Sequence, residues 1–278
     1  MRIIRLKTPI TYYGGKQGML KHIIPLIPEH TLYNEAFAGG AALFFAKSAV
    51  KVNVINDLNG ELVNFYRTIV TDYPALKLKL SESLHSRLQH EHAWYVYNHS
   101  TFFSNVERAW AVFVLSKLGF AGQLTGVFGF DKSEGRQPKK IKNAMDLVNE
   151  DLKALLELTT IECDDALKVI KRYDCSGAFH FIDPPYVGSD MGHYKGMFNN
   201  ENLLQLLHLM VDIQGKFMLT MYPNDVIKQF ADANGWTVHK VERQISAAKV
   251  GSRRKQEEWI VMNYGSVGVN QSQLLEAA

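Results

Sequence analysis

Asp183-Pro184-Pro185-Tyr186 sets an acid, two ring-locked residues and an aromatic directly after Ala178-Phe179-His180-Phe181-Ile182, an apolar run of strand length. Such a stretch suits the binding of a flat molecule that carries an exocyclic amine. The lone pair of that amine is delocalised into its ring, which makes the nitrogen a poor nucleophile. Two acceptors, the Asp183 carboxylate and the Pro184 carbonyl, would bind both amine hydrogens and favour a pyramidal nitrogen whose lone pair points at a methyl donor. Pro184 and Pro185 fix the backbone, so the acceptors are preorganised. Tyr186 would offer a stacking face to a flipped base. The plainer alternative is a strand-ending acid followed by a rigid turn.

Three further stretches supply ligand chemistry. Asn34-Glu35-Ala36-Phe37-Ala38-Gly39-Gly40-Ala41 begins as a strand, passes two glycines and enters a helix. Glycines there admit close backbone approach to a ligand, and the helix N-terminus presents unpaired N–H groups. A tight strand–helix turn has the same appearance, and the absence of G-x-G-x-x-G weighs against a nicotinamide enzyme. About twenty residues further on, Asp57 ends the next strand, where doubly wound folds use an acid to hold ribose hydroxyls. It equally suits a helix N-cap. Near the start, Thr11-Tyr12-Tyr13-Gly14-Gly15-Lys16 brings a lysine within reach of an anionic carboxylate or phosphate; a surface turn would look similar.

The chain that must position these residues has 278 of them, 46% hydrophobic and 21% charged, the composition of an ordinary globular protein. A net charge of +3 permits a nucleic-acid partner without requiring one. Cys163 and Cys175 have neither metal-knuckle spacing nor the density of a disulfide scaffold. The histidines His85, His90, His92 and His99 suit helix packing or surface positions, so no metal is expected. No segment approaches the roughly 18 apolar residues of a membrane helix, and the first residues lack a signal peptide's apolar block. The expected location is cytoplasmic.

Apolar runs alternate with helical stretches, which predicts an α/β sheet with crossover helices. Strands are expected at Leu32–Phe37, Lys51–Ile55, Thr160–Cys163, Ala178–Ile182 and Lys216–Met221, with a late pair at Thr237–Val241 and Trp259–Tyr264. Helices are expected at Ala41–Ala49, Leu58–Val70, Asp165–Lys171, Asn202–Val211 and Asp225–Asn234. Residues 71–158 break the rhythm with helical periodicity and a glycine-aromatic stretch, Gly119 to Asp131, read as a hairpin or loop. This divides the chain into a discontinuous domain of residues 1–70 and 159–264, a helical insertion at 71–158, and a polar tail at 265–278.

Tyr-Gly-Gly-Lys, Glu-Ala-Phe-Ala-Gly-Gly, Asn-Asp and Asp-Pro-Pro-Tyr, in this order, resemble the Dam-type (D12 class, α group) DNA adenine-N6 methyltransferases. The likeness runs from Thr8 to about Tyr264, and the late Ser252-Arg253-Arg254-Lys255-Gln256-Glu257-Glu258-Trp259 run is similar to that family's basic segment before its last strand. It implies a Rossmann-like S-adenosylmethionine-dependent methyltransferase sheet with a mainly helical inserted DNA-recognition domain. It also implies methyl transfer to the N6 of a flipped adenine in duplex DNA. The resemblance assigns Tyr12, Lys16, Glu35, Phe37, Gly39 and Asp57 to the cofactor, with Asp164 or Asp165 beside its adenine, and makes Asp183, Pro184, Pro185 and Tyr186 catalytic. The family commonly has glycine where this chain has Ala41, a methyl that is tolerated if the helix has already begun there.

Double-stranded DNA is the implied partner, with a restriction endonuclease of the same system as a second, and the chain is expected as a monomer or weak dimer. Lys139, Lys140, Lys142, Lys249, Arg253, Arg254 and Lys255 are candidate phosphate contacts, which position without specifying sequence. Gln123, Leu124 and Thr125 are candidates for base readout, since glutamine pairs bidentately with adenine; the alternative is that they only build the hairpin. N4-cytosine methylation and a non-catalytic DNA-binding role are the rival functions, the first disfavoured because Asp leads the catalytic motif.

Overall fold

The structure is a computed structural model that describes residues 6–132, 134–187, 198–244 and 255–265. Among these residues the strands are β1 (Leu32–Glu35), β2 (Val52–Asn56), β3 (Thr159–Glu162), β4 (Ala178–Ile182), β5 (Lys216–Met221), β6 (Thr237–Gln244) and β7 (Lys255–Met262). The helices are α1 (Leu20–Ile23), α2 (Ala42–Ala46), α3 (Gly60–Thr71), α4 (Tyr73–Ser81), α5 (Arg87–Asn98), α6 (Asn105–Leu118), α7 (Arg136–Leu147), α8 (Glu150–Glu157), α9 (Ala166–Tyr173), α10 (Asn200–Val211) and α11 (Asp225–Asn234).

One sheet runs in the order β3-β2-β1-β4-β5-β7-β6. β1 to β5 are parallel, and β7 enters antiparallel between β5 and β6. Every residue of β4 is buried, as expected for a central parallel strand covered on both faces. The chain leaves β1 toward β2 on one side and returns to β4 on the other, so the strand order reverses between β1 and β4. Open α/β sheets bind ligands in the crevice beyond the strand ends at such a reversal. The Glu35–Gly40 turn and the Asp183–Tyr186 stretch both lie there.

The expected strands and crossover helices are all present, with shifted ends. β1 stops at Glu35 rather than Phe37 because the Asn56 side chain takes the Ala36 carbonyl and the Ala38 N–H bonds the Asn56 carbonyl at 2.8 Å, which turns the chain. α2 is shorter than Ala41–Ala49. Ala41 is left-handed (φ 49°) and precedes the helix, so its methyl is not carried by a helical residue as the sequence had suggested. At the other end Lys47 is extended, with its ammonium 4.1 Å from the Tyr33 ring centre.

The insertion is helical, from α4 to α8. Its central helix α6 opens with a Ser104–Glu107 capping box and is buried from Ala109 to Leu118. It packs on α3 and shares one hydrophobic core with β1 and α2, so these helices and the sheet are held together by side-chain packing. The glycine-aromatic stretch closes through one antiparallel bridge, Gly119 to Phe128, with backbone bonds from Phe120 N to Val127 O and from Gly129 N to Leu118 O. His85 and His90 pack on Phe128, His92 on Trp110 and His99 on Tyr95. Among the described residues no cluster of ligating side chains could hold a metal, and no helix is long and apolar enough to cross a membrane.

Candidate active site

Asp183 follows β4 directly, and the register that sets Ile182 beside Leu219 carries Asp183 to Thr220 on β5. The Thr220 hydroxyl donates to Asp183 Oδ1 at 2.7 Å. The Lys16 ammonium reaches the same oxygen at 2.7 Å. Among the described residues Oδ2 carries no such bond, which leaves it to accept from an amine. Burial raises the Asp183 pKa, with Lys16 and then Thr220 pulling it back.

Lys16 stands on a single 3-10 turn, Lys16–Gly18, after a loop in which Gly14 is left-handed (φ 76°). Its ammonium is buried, also donates to the Gly14 carbonyl at 2.9 Å, and lies 3.5 Å from Glu258 Oε1. Tyr186 donates its hydroxyl to Glu258 Oε1 at 2.5 Å, meets Tyr222 edge-to-face at 4.4 Å, and has Lys16 over its ring at 4.8 Å. Pro184 is buried and Pro185 half-buried beside them. The N-terminal motif and the Asp183–Tyr186 stretch therefore form one cluster.

A second cluster lies at the ends of β1 and β2. Asp57 is half-buried and accepts from Gly39 N at 2.8 Å and Asn59 N at 2.9 Å. Burial raises its pKa against those N–H groups. Gly39 is left-handed (φ 49°), and a Cβ on it would stand 2.9 Å from the Tyr12 ring, so glycine is what lets Tyr12 lie on this turn. Phe37 is half-buried and meets Phe198 edge-to-face at 6.1 Å. Asn56, buried, donates to the Ala36 and Asp164 carbonyls and accepts from Asp164 N, tying the β1, β2 and β3 ends together.

Some expected residues face elsewhere. Glu35 is turned into the protein, where Oε2 accepts from Tyr33 Oη at 2.6 Å and Phe44 N at 3.0 Å. Burial pushes its carboxyl up to about 8. Asp165 caps α9 by accepting from Lys168 N, while Asp164 pairs with Arg172 at 2.8 Å.

The Gly119–Phe128 loop lies against the N-terminal motif. A Cβ on left-handed Gly122 would stand 2.8 Å from Thr11, and buried Lys117 donates to Thr11 Oγ1 at 3.1 Å. Burial lowers the Lys117 pKa to about 7, with Lys140 adding to the effect, and α6, which carries Lys117, packs on α7. Lys139 and Lys140 are exposed on α7, Thr125 is exposed and Gln123 half-buried on the loop. Leu124 is fully buried and presents no edge to a base in this conformation; the hairpin-building alternative describes it. Phe120 and Val127 are large exposed apolar residues of the same loop. Lys249, Arg253 and Arg254 lie outside the described residues, and Lys255 opens β7 without a described side chain.

Asn56 and Glu258 stand in stretches that the motif reading quoted without giving them a role, and Thr220 and Tyr222 stand in none. The signal for two of them is a polar residue in phase with a buried strand face. Glu258 shares the face of Ile260 and Met262, and Thr220 interrupts Phe217-Met218-Leu219.

A parallel sheet with an antiparallel β7, a glycine turn and acid at its reversal, and an acid-proline-proline-tyrosine wall beside them define the methyltransferase class. Residues 12–246 match the D12 class N6 adenine-specific DNA methyltransferase family, and the chain belongs to it. It is similar to the Type II methyltransferase M1.LlaDCHI of Lactococcus lactis subsp. cremoris, at 29% identity over 95% of this chain and 97% of that one. It is also similar to the Type II methyltransferase M.CviBI of Paramecium bursaria Chlorella virus NC1A, at 26% identity over 93% and 100%. The Modification methylase StsI of Streptococcus sanguinis matches at 23% identity over 93% of this chain and 43% of its own length. The protein is thus a DNA adenine-N6 methyltransferase, and family and fold together imply S-adenosylmethionine as its methyl source.

Proposed function

We propose that Asp183, Pro184, Pro185 and Tyr186 hold a flipped adenine of duplex DNA while the crevice between β1 and β4 holds S-adenosylmethionine. The observation that carries this reading is the state of Asp183. Lys16 and Thr220 fix its Oδ1, and Oδ2 has no described partner at the strand reversal. A carboxylate pinned by one oxygen offers the other in a fixed direction, which is what orienting an amine requires. The Pro184 carbonyl is the second acceptor, and Tyr186, held by Glu258 and Tyr222, is the stacking face.

S-adenosylmethionine supplies an electrophilic methyl carried on a cationic sulfur. Tyr12, Phe37, Gly39 and Asp57 line its side of the crevice, and Asp57 suits ribose hydroxyls. Its carboxylate is already organised by two backbone N–H groups, and Gly39 leaves no Cβ in the turn. Of the two acids after β3, Asp165 caps α9 through its side chain and Asp164 pairs with Arg172, and Asp164 or Asp165 would stand beside the cofactor's adenine. Glu35 acts from behind by bonding Phe44 at the start of α2, and Lys16 acts on Asp183.

The DNA side of this reading is the face where the Gly119–Phe128 loop, α7 and the Thr11 segment meet. Lys139 and Lys140 would neutralise phosphates, Gln123 and Thr125 would face bases, and Phe120 or Val127 would fill the gap beside a displaced base, as apolar wedges do. The relatives named Type II methyltransferases support action at a defined sequence within a restriction–modification system, where a restriction endonuclease would share the site. The protein would work there as a monomer or weak dimer.

The test is Asp183→Ala. Transfer of labelled methyl to unmethylated DNA should fall by at least about 1,000-fold, while calorimetry still detects the cofactor. Turnover at the wild-type rate would sink the assignment.

A further inference from the structure

We infer that Asn56 is a positioning residue of the cofactor site: its carboxamide fixes the turn after β1 and the acids after β3 as the walls that meet the cofactor's nucleoside. This rests on the reading of the crevice between β1 and β4 as the S-adenosylmethionine site. Asn56 ends β2 and is 1% exposed. Its Nδ2 donates to the Ala36 carbonyl at 2.9 Å and to the Asp164 carbonyl at 3.0 Å. Its Oδ1 accepts from Asp164 N at 3.0 Å, and its backbone carbonyl accepts from Ala38 N at 2.8 Å. One buried residue thus engages both backbone groups of Asp164 together with a carbonyl and an N–H of the Ala36–Ala38 turn.

The strand ladders stop where these bonds begin. β1 last pairs with β2 at Glu35 and Ile55, and β2 with β3 at Asn56 and Glu162. Beyond these pairs the Asn56 carboxamide carries the connection across all three strand exits. It can do so because it holds two donors and an acceptor in one plane. A carboxylate of the same shape has no donor, and buried here it would set its charge against two carbonyls. On the β1 side the tie fixes Ala38, whose neighbour Gly39 donates to Asp57 Oδ2 at 2.8 Å. On the β3 side it fixes Asp164 and Asp165 together, since Asp165 N donates to Asp164 Oδ1 at 2.8 Å. Whichever of these acids stands beside the adenine, the turn that carries both is held through Asn56. Arg172 grips Asp164 only from the solvent side, where ion pairs contribute little.

Two ligands that differ only at the base's 6-position read this role. S-adenosylhomocysteine carries an amine there and S-inosylhomocysteine a carbonyl. In calorimetry on the full chain, wild type should prefer the amine, and in Asn56→Asp that preference should fall about tenfold. KM for S-adenosylmethionine should rise about thirtyfold while kcat stays within about threefold of wild type. A merely structural loss would weaken both ligands equally and lower kcat with them. A wild-type preference in Asn56→Asp, or a wild type that binds the two ligands alike, would overturn the inference. If Asn56→Asp does not fold, Asn56→Ser, which shortens the reach without adding charge, carries the test with the same outcomes. Unchanged binding of S-adenosylhomocysteine in Asp57→Ala would instead remove the reading of the crevice beneath it, whatever Asn56→Asp does.

Discussion

Glu35 shows how a motif residue serves the fold beneath a site. Its carboxyl is buried at the end of β1 between Tyr33 and the start of α2, and its pKa is pushed up to about 8. In the unfolded chain the group titrates near ~4.3. Between these values the folded state keeps a proton that the unfolded chain has lost. The group's stabilising contribution is therefore full below the lower value and is lost as pH rises through the upper one. Burial lowers Lys47 to about 8, which has the opposite sign but acts only above that pH. Glu35→Gln should thus flatten the fall in urea-unfolding free energy between about pH 5 and about pH 8, by a few kcal/mol. An unaltered pH dependence in the variant would show that Glu35 is ionised when folded. The sequence displayed this acid in its motif, but not that its carboxyl turns inward, because that depends on Tyr33 and Phe44 closing over it.

The Gly119–Phe128 loop makes the same point for an element. Glycines mark it in the sequence, and Gly119 and Gly122 are sites of close approach, Gly122 to Thr11. Ala121 is also left-handed (φ 55°), and no residue type announces it. Its side chain is exposed, so no packing is lost when the methyl is removed. Ala121→Gly should raise the unfolding free energy by about 0.5–1 kcal/mol, because an L-residue is strained at this φ and glycine is not. A denaturant midpoint at or below wild type would show that the unfolded chain's added entropy outweighs the relieved strain. The ends of β1 and α2 were likewise misjudged by one to three residues, where Asn56 and Lys47 reach back and stop them.

At the scale of the molecule, α6 is anchored in the shared core and leads into the Gly119–Phe128 loop and α7, and we propose that this carries Lys139 and Lys140 to the face that receives DNA. Phosphate contacts release counterions, so each lost contact reduces the salt dependence of DNA binding. Lys139→Ala with Lys140→Ala should lower the slope of log K against log salt by about 1.8 and weaken target and non-target DNA alike. A slope equal to wild type in filter-binding titrations would move the DNA path off α7. The expectation of readout from Gln123-Leu124-Thr125 divides here, since Leu124 is consumed by the core while its neighbours reach the surface.

The order of motifs and the alternation of strand with helix sufficed for the α/β fold, the helical character of residues 71–158 and the family. Those properties rest on local periodicity, backbone-constrained residues and short stretches read in one direction. Tertiary structure alone decided what surrounds Asp183. Lys16, Thr220 and Glu258 are more than 200 residues apart at their extremes and carry no mutual signal in the chain. They meet because parallel β4 and β5 and antiparallel β7 end at one crevice, where Lys16 lies within reach of both Asp183 and Glu258.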